Sequence, residues 1–262
     1  MCAAFSRALL AVLFGVAANA FAQSTSRIVD VPTRPGITQR ILLLEPTQPR
    51  AVVILYAGGH GGLRLSPQGD FAWGKGNFLV RSRELFAAQG LVVAVVDAPS
   101  DRQEPPYFAG FRQSSESAAD ARAVIAWLRE RTKLPVWIVG TSAGTQSAAY
   151  IAHALEGRDA ADGVALTASV LHDRRGRSLL EMPLEKIRIP VLVVHHEEDG
   201  CVACPFAEVP ALMRRLASAP RKELVAVRGG DSRGDPCEAF AHHGFNGLER
   251  DVVARMAAWI VQ

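Results

Sequence analysis

A doubly wound α/β fold, a single domain with a mostly parallel sheet and helices on both faces, is what the sequence predicts. Two observations lead there. Apolar, β-branched runs alternate along the chain with segments of helical spacing. The runs Val52–Tyr56 and Leu91–Val96 are apolar at every position, so both faces of each strand are buried, as in a parallel sheet covered by helices. Length and composition agree: 262 residues, 49% hydrophobic and 21% charged, suit one large α/β domain.

The elements follow in order. Arg40–Leu44 and Ala51–Tyr56 read as strands. Gly76–Gln89 reads as a helix that Gly90 ends, and Leu91–Val96 as the next strand. Ser117–Arg131 is helical, with Ala118, Ala121, Ile125 and Leu128 recurring on one face. Pro135–Val139 is a strand and Ser142–Leu155 a helix. Val164–Leu171 and Pro190–His195 are strands, Phe206–Ala217 a helix, Glu223–Val227 a strand and Leu248–Val261 the closing helix. No repeat, low-complexity tract or linker interrupts the pattern.

The first 22 residues stand apart. Arg7 precedes an apolar run, Ala8–Ala18, and Ala20-Phe21-Ala22 fits a cleavage site for small residues. The run is short for a membrane span. This predicts a signal peptide at 1–22, cleaved near Ala22, and an exported domain at 23–262, periplasmic or extracellular and not inserted in a membrane. Of the 29 basic residues, cleavage removes Arg7 alone, leaving 28 against 26 acidic. That near balance argues against a nucleic-acid partner, and the basic run Arg174-Arg175-Arg177 reads as a solvated loop. Oligomeric state is not readable. Three cysteines remain, Cys201, Cys204 and Cys237, and an oxidising compartment favours pairing two of them.

Chemistry enters at Gly140-Thr141-Ser142-Ala143-Gly144. Val136-Trp137-Ile138-Val139 leads into it and a helical segment leaves it, the strand-turn-helix context of a nucleophile elbow. The flanking glycines let strand and helix approach closely, and a helix N-terminus favours developing negative charge. Ser142 or Thr141 as a plain helix cap is the alternative. With this motif and its element order, the chain resembles the α/β-hydrolase superfamily over nearly all of residues 23–262.

The resemblance implies a Ser-acid-His order and two oxyanion donors. One donor is the Ala143 backbone N–H. The other comes from Gly58-Gly59-His60-Gly61-Gly62, similar to the glycine-rich loop of esterases, with Gly59 or His60 as the donor. The acid follows the strand Pro190–His195: Asp199, with Glu197, Glu198 and Asp173 as rivals. The base lies before the last helix, where His242 and His243 both qualify; Gly244-Phe245 behind it selects His243. A Cys201–Cys237 bridge would then tie the acid loop to the histidine loop, with Cys204–Cys237 as the rival pairing. Closing about 36 residues would stabilise by about 3–4 kcal/mol. Cys201-Val202-Ala203-Cys204 could instead be a redox or zinc half-site, but no second such pair accompanies it.

The implied activity is hydrolysis of carboxylic esters through an acyl-enzyme, with no cofactor or metal. A serine peptidase of the same fold, or a non-catalytic exported binding protein on this scaffold, are the other readings. About 18 residues between Leu171 and Ile189 leave room for little or no cap domain. An open site suits small or polymeric esters. The loop Ala98–Glu116, with Pro105, Pro106, Tyr107, Phe108 and Phe111, is a candidate pocket wall.

Overall fold

The structure is a computed structural model that describes residues 25–173 and 176–262. The expected signal segment 1–22 lies outside the described residues, as do Arg174 and Arg175 of the basic run.

One eight-stranded sheet runs through the described residues. Its strands are β1 (Thr25–Pro32), β2 (Thr38–Glu45), β3 (Ala51–Tyr56), β4 (Leu91–Pro99), β5 (Val136–Thr141), β6 (Gly163–Thr167), β7 (Val191–His196) and β8 (Lys222–Val227). The order is β1-β2-β4-β3-β5-β6-β7-β8. β2 pairs antiparallel with β1 and β4, and every other pairing is parallel. The helices are α1 (Phe78–Arg81), α2 (Arg83–Ala88), α3 (Ser115–Thr132), α4 (Gly144–Ala154), α5 (Val209–Arg215) and α6 (Glu249–Ile260).

The two-residue period of a strand divides the core. Val52, Ile54 and Tyr56 of β3 join one cluster with Ala121, Ile125 and Leu128 of α3 and Ala148 and Ile151 of α4. Ala51, Val53 and Leu55 face the other way, into a cluster with Phe78, Phe86, Val252 and Met256. Each fully buried Val, Ile or Leu contributes about 1.5–3 kcal/mol of transfer free energy, so strands covered on both faces anchor the sheet. In parallel strands the carboxyl ends then share one edge. Tyr56 pairs with Gly140, Thr141 with Thr167, and Thr167 with Val194, which brings the loops after β3, β5, β6 and β7 together.

Several elements differ from the sequence expectation. β1 was not expected: it is an edge strand in which only Val31 is fully buried, so it lacks the continuous apolar signature. The helix expected over Gly76–Gln89 is two short helices that meet at Ser82, whose ψ of 1° departs from the helical value. The strand expected to Leu171 stops at Thr167, because Ala168 takes a φ of +46°. The helix expected from Phe206 begins with a 3-10 turn, Phe206–Glu208, and ends at Arg215, after which Leu216 leaves helical geometry. The helix expected from Ser142 begins at Gly144. Between β6 and β7 the described residues hold only two single-turn 3-10 helices, Leu179–Glu181 and Leu184–Lys186, so there is no cap domain there. No helix of the described residues is long and apolar enough to cross a membrane.

Candidate active site

Ser142 sits in the turn between β5 and α4 with a φ of +51°, a left-handed conformation that costs a non-glycine residue about 1–3 kcal/mol. The turn is held from both sides. The Ser142 N–H donates to the Thr167 carbonyl at 3.0 Å. Thr145 donates to the Ser142 carbonyl through its N–H at 2.9 Å and its hydroxyl at 2.6 Å. The two motif glycines are forced by contact: a Cβ on Gly140 would lie 2.4 Å from the Gly144 carbonyl oxygen, and one on Gly144 would lie 2.0 Å from that of Tyr56. A helix cap needs neither contact, and Ser142 makes no capping hydrogen bond, the N-cap position being Ala143.

Across the cleft from this turn, the loop after β7 carries Asp199 and the loop after β8 carries His243. His243 Nδ1 lies 2.9 Å from Asp199 Oδ2, both side chains being buried. The other carboxylate oxygen accepts the Cys201 N–H at 2.9 Å, and His195 Nε2 lies 3.5 Å from Oδ2. Burial raises the Asp199 pKa, but the hydrogen bonds from His195 and His243, the His243 charge and the Cys201 N–H outweigh it and hold the carboxyl at about 2. With Asp199 ionised, Nδ1 of His243 carries the proton and donates it. Nε2 is buried and makes no hydrogen bond among the described residues, to the Ser142 hydroxyl or to any other group. Gly244 behind the histidine permits the approach of the Ala239 carbonyl, 1.9 Å from where a Cβ would stand. Phe245 then turns at a φ of +57° and packs on Phe78 with ring centroids 4.8 Å apart.

No family model and no curated protein sequence matches the chain. Solved structures do. A dienelactone hydrolase from Anabaena variabilis is 18% identical, with a TM-score of 0.62, over 91% of this chain and 97% of that one. A Pyrococcus furiosus esterase is 13% identical with a TM-score of 0.65, over 90% and 91%. A serine hydrolase without a lid from Xanthomonas campestris is 16% identical with a TM-score of 0.56, over 89% and 95%. The chain has the α/β-hydrolase fold.

In this α/β-hydrolase fold the carboxyl edge of the sheet opens into a cleft of about 1790 Å³ that Gly58, Gly59, Ser142, Ala143 and His243 line. Gly58 presses on the elbow: a Cβ there would lie 2.9 Å from Ser142 Cβ. His60 does not line the cleft by its side chain. Its ring lies between Trp73 and Tyr107, with centroids 3.7 and 4.5 Å away, and its Nδ1 accepts the Gly62 N–H at 3.1 Å. Burial and the Arg112 charge hold this imidazole below its ordinary pKa.

The rival residues take other partners. Glu197 pairs with Arg228. Glu198 is exposed, and its carbonyl lies 3.3 Å from His242 Nδ1. His242 stacks on His196 at 4.2 Å between centroids. Asp173 lines the cleft and accepts from Gln146 Nε2 at 2.7 Å. Cys201 is bridged to Cys237, and Cys204 is a buried free thiol whose pKa burial pushes up, with the Asp199 charge adding to it.

The loop Ala98–Glu116 is not a wall of the cleft. Tyr107, Phe108 and Phe111 are buried behind the glycine-rich loop, and none of them faces the cleft. That loop instead carries Arg112, for which the sequence raises no expectation. Its guanidinium is buried and donates to Ser147 Oγ at 3.0 Å, to the Ala57 carbonyl at 3.1 Å and to the Gly59 carbonyl at 3.0 Å. No local signal marks it, because its partners, two carbonyls and the Ser147 hydroxyl, are all remote in sequence.

Proposed function

We propose that this chain is an exported serine hydrolase that cleaves carboxylic esters. The observation that carries the reading is the buried His243–Asp199 pair, with an unbonded Nε2, in the same cleft as a serine held in left-handed backbone geometry. Ser142 is the nucleophile, His243 the general base and Asp199 the acid that orients the imidazole and stabilises its charged form.

In the first half-reaction, the Ser142 hydroxyl attacks the acyl carbon and passes its proton to His243 Nε2. The tetrahedral oxyanion forms against backbone N–H groups of Ala143 and of the Gly59–His60 segment, and charge develops beside the N-terminus of α4. The protonated imidazole then gives its proton to the leaving alcohol. In the second half-reaction, water loses a proton to the same nitrogen and attacks the acyl-enzyme, and the imidazolium returns that proton to the Ser142 oxygen as its bond to the acyl carbon breaks, which frees the acid and the Ser142 hydroxyl. Without a cap over the cleft, the site takes small or polymeric esters. Export rests on the leader-like segment 1–22 together with a Cys201–Cys237 bridge, which suits an oxidising compartment.

The test compares 4-nitrophenyl acetate with acetyl 4-nitroanilide and short peptide amides on the purified mature protein. Ester turnover at least about 10²-fold faster than amide turnover is the expected result. Comparable amide turnover makes the chain a peptidase of this fold. No turnover of either by folded protein, together with no fluorophosphonate labelling of Ser142, makes it a binding protein.

A further inference from the structure

Among the described residues, three large hydrophobic side chains are exposed: Trp73 at 37%, Phe240 at 52% and Val202 at 85%. All three line the cleft that holds Ser142. Scattered exposed hydrophobics need no explanation, but three that converge on one opening from three separate loops do. Trp73 comes from the loop between β3 and α1, Val202 from the acid loop and Phe240 from the histidine loop, three residues before His243.

Each is held from behind. The Trp73 ring lies on Gly59, whose added Cβ would stand 2.6 Å from Cη2, and it packs on the His60 ring at an interplanar angle of 33°. Phe240 rests on Gly76, where a Cβ would lie 3.2 Å from its ring, and the Arg81 guanidinium stands 5.4 Å from its centroid. Val202 follows Cys201, which the disulfide fixes. Val170, Leu171 and Leu180 add apolar lining to the same cleft, and the charged residues Asp173, Glu181, Arg233, Asp235 and Glu238 also border it. A substrate as small as an acetate ester, seated at Ser142, leaves Val202 and Phe240 in water. Only a ligand that is itself apolar and reaches past the mouth covers them.

We propose that the substrate is an uncharged, apolar ester whose bulk extends beyond the cleft, of the kind an apolar polyester chain presents, and that Trp73, Val202 and Phe240 select it. This deepens the ester-hydrolase reading and rests on it.

The experiment follows three esters with the mature enzyme: polycaprolactone nanoparticles as the apolar polymer, acetylated xylan as a polar polymeric ester and 4-nitrophenyl acetate as the small reference. It uses wild type, Val202→Ser, Phe240→Ser, the double variant and Trp73→Ala. The most exposed positions, Val202 and Phe240, keep the test clear of folding, which thermal melts verify. Wild type should clear the particles faster than it deacetylates xylan, and the particle-to-acetate rate ratio should fall at least tenfold in the double variant. A preference for acetylated xylan, untouched particles beside good acetate turnover, or a ratio that stays within twofold of wild type overturns the proposal while leaving the hydrolase standing. No turnover of any ester together with no fluorophosphonate labelling of Ser142 overturns both.

Discussion

Arg112 donates to the Gly59 carbonyl at 3.0 Å and makes no ion pair among the described residues. Burial pushes the guanidinium down to about 10, so it remains charged at neutral pH. A buried cation is costly unless its donors are met, and here carbonyls and a hydroxyl meet them. The carbonyl oxygen and N–H of a trans peptide point in opposite directions. Fixing the Gly59 and Ala57 carbonyls toward Arg112 therefore turns the His60 and Gly58 N–H groups away from it. The contact to Ser147 ties the same guanidinium to α4, the helix behind the elbow.

Arg112→Met should lower kcat by about 10²-fold while KM changes by no more than about threefold, because loop donors lose their direction in the transition state more than in the ground state. Arg112→Lys should recover part of kcat. Steady-state kinetics on 4-nitrophenyl acetate read the split. An equal loss in both variants with a collapsed melting temperature would reduce Arg112 to a packing role.

Gly58→Ala places a Cβ 2.9 Å from Ser142 Cβ and 3.0 Å from the Thr141 carbonyl oxygen. Moving the elbow relative to the loop should cost about 10²-fold in kcat/KM, in line with other misplacements of a reacting group. Kinetics and circular dichroism on the same sample separate lost geometry from lost fold.

Asp199→Asn should reduce kcat by about 10³–10⁴-fold, since the imidazole loses the partner that fixes its tautomer. Stability should respond too. The Asp199 pKa is depressed from 3.8 to about 2 in the folded protein, so its contribution is present in full above the unfolded value and is lost as pH falls through the folded one. About 2 kcal/mol should disappear between roughly pH 4 and pH 2. Urea unfolding across that range should show the wild-type slope, and Asp199→Asn should show a shallower one.

The Cys201–Cys237 bridge closes 36 residues between the acid loop and the histidine loop. Cys237→Ser should lower stability by about 3–4 kcal/mol, or roughly 6–15 °C in melting temperature for a chain of this size. Peptide mapping of unreduced protein should recover the two cysteines linked and Cys204 alkylated only after denaturation.

The sheet centre was legible because β3, β4 and β5 are apolar at consecutive positions, which leaves one physical solution. β1 was not, because it is an edge strand with one fully buried residue, and its other positions are exposed or half-buried without a regular alternation. The break at Ser82 was hidden because helical spacing continues across it. At the site, the glycines around Ser142 announced close approach, and the structure supplies the contacts, with Gly144 against Tyr56. His242 and His243 are neighbours in sequence; the family resemblance favours His243 through Gly244-Phe245, and the fold gives the physical difference, since one stacks on His196 and the other meets Asp199. The aromatic loop Ala98–Glu116 looked like a pocket wall because aromatic loops often are. It faces inward instead, where Tyr107 and Phe108 back the glycine-rich loop and Arg112 braces it. Such a brace, made to carbonyls, leaves no pattern in the side chains.

The most direct test of the account is labelling of the purified protein with a fluorophosphonate probe, beside Ser142→Ala and His243→Ala. The account predicts stoichiometric labelling of wild type at Ser142, none in Ser142→Ala and labelling slowed by at least about 10²-fold in His243→Ala. Well-folded wild type that stays unlabelled, or labelling that survives Ser142→Ala, would contradict it.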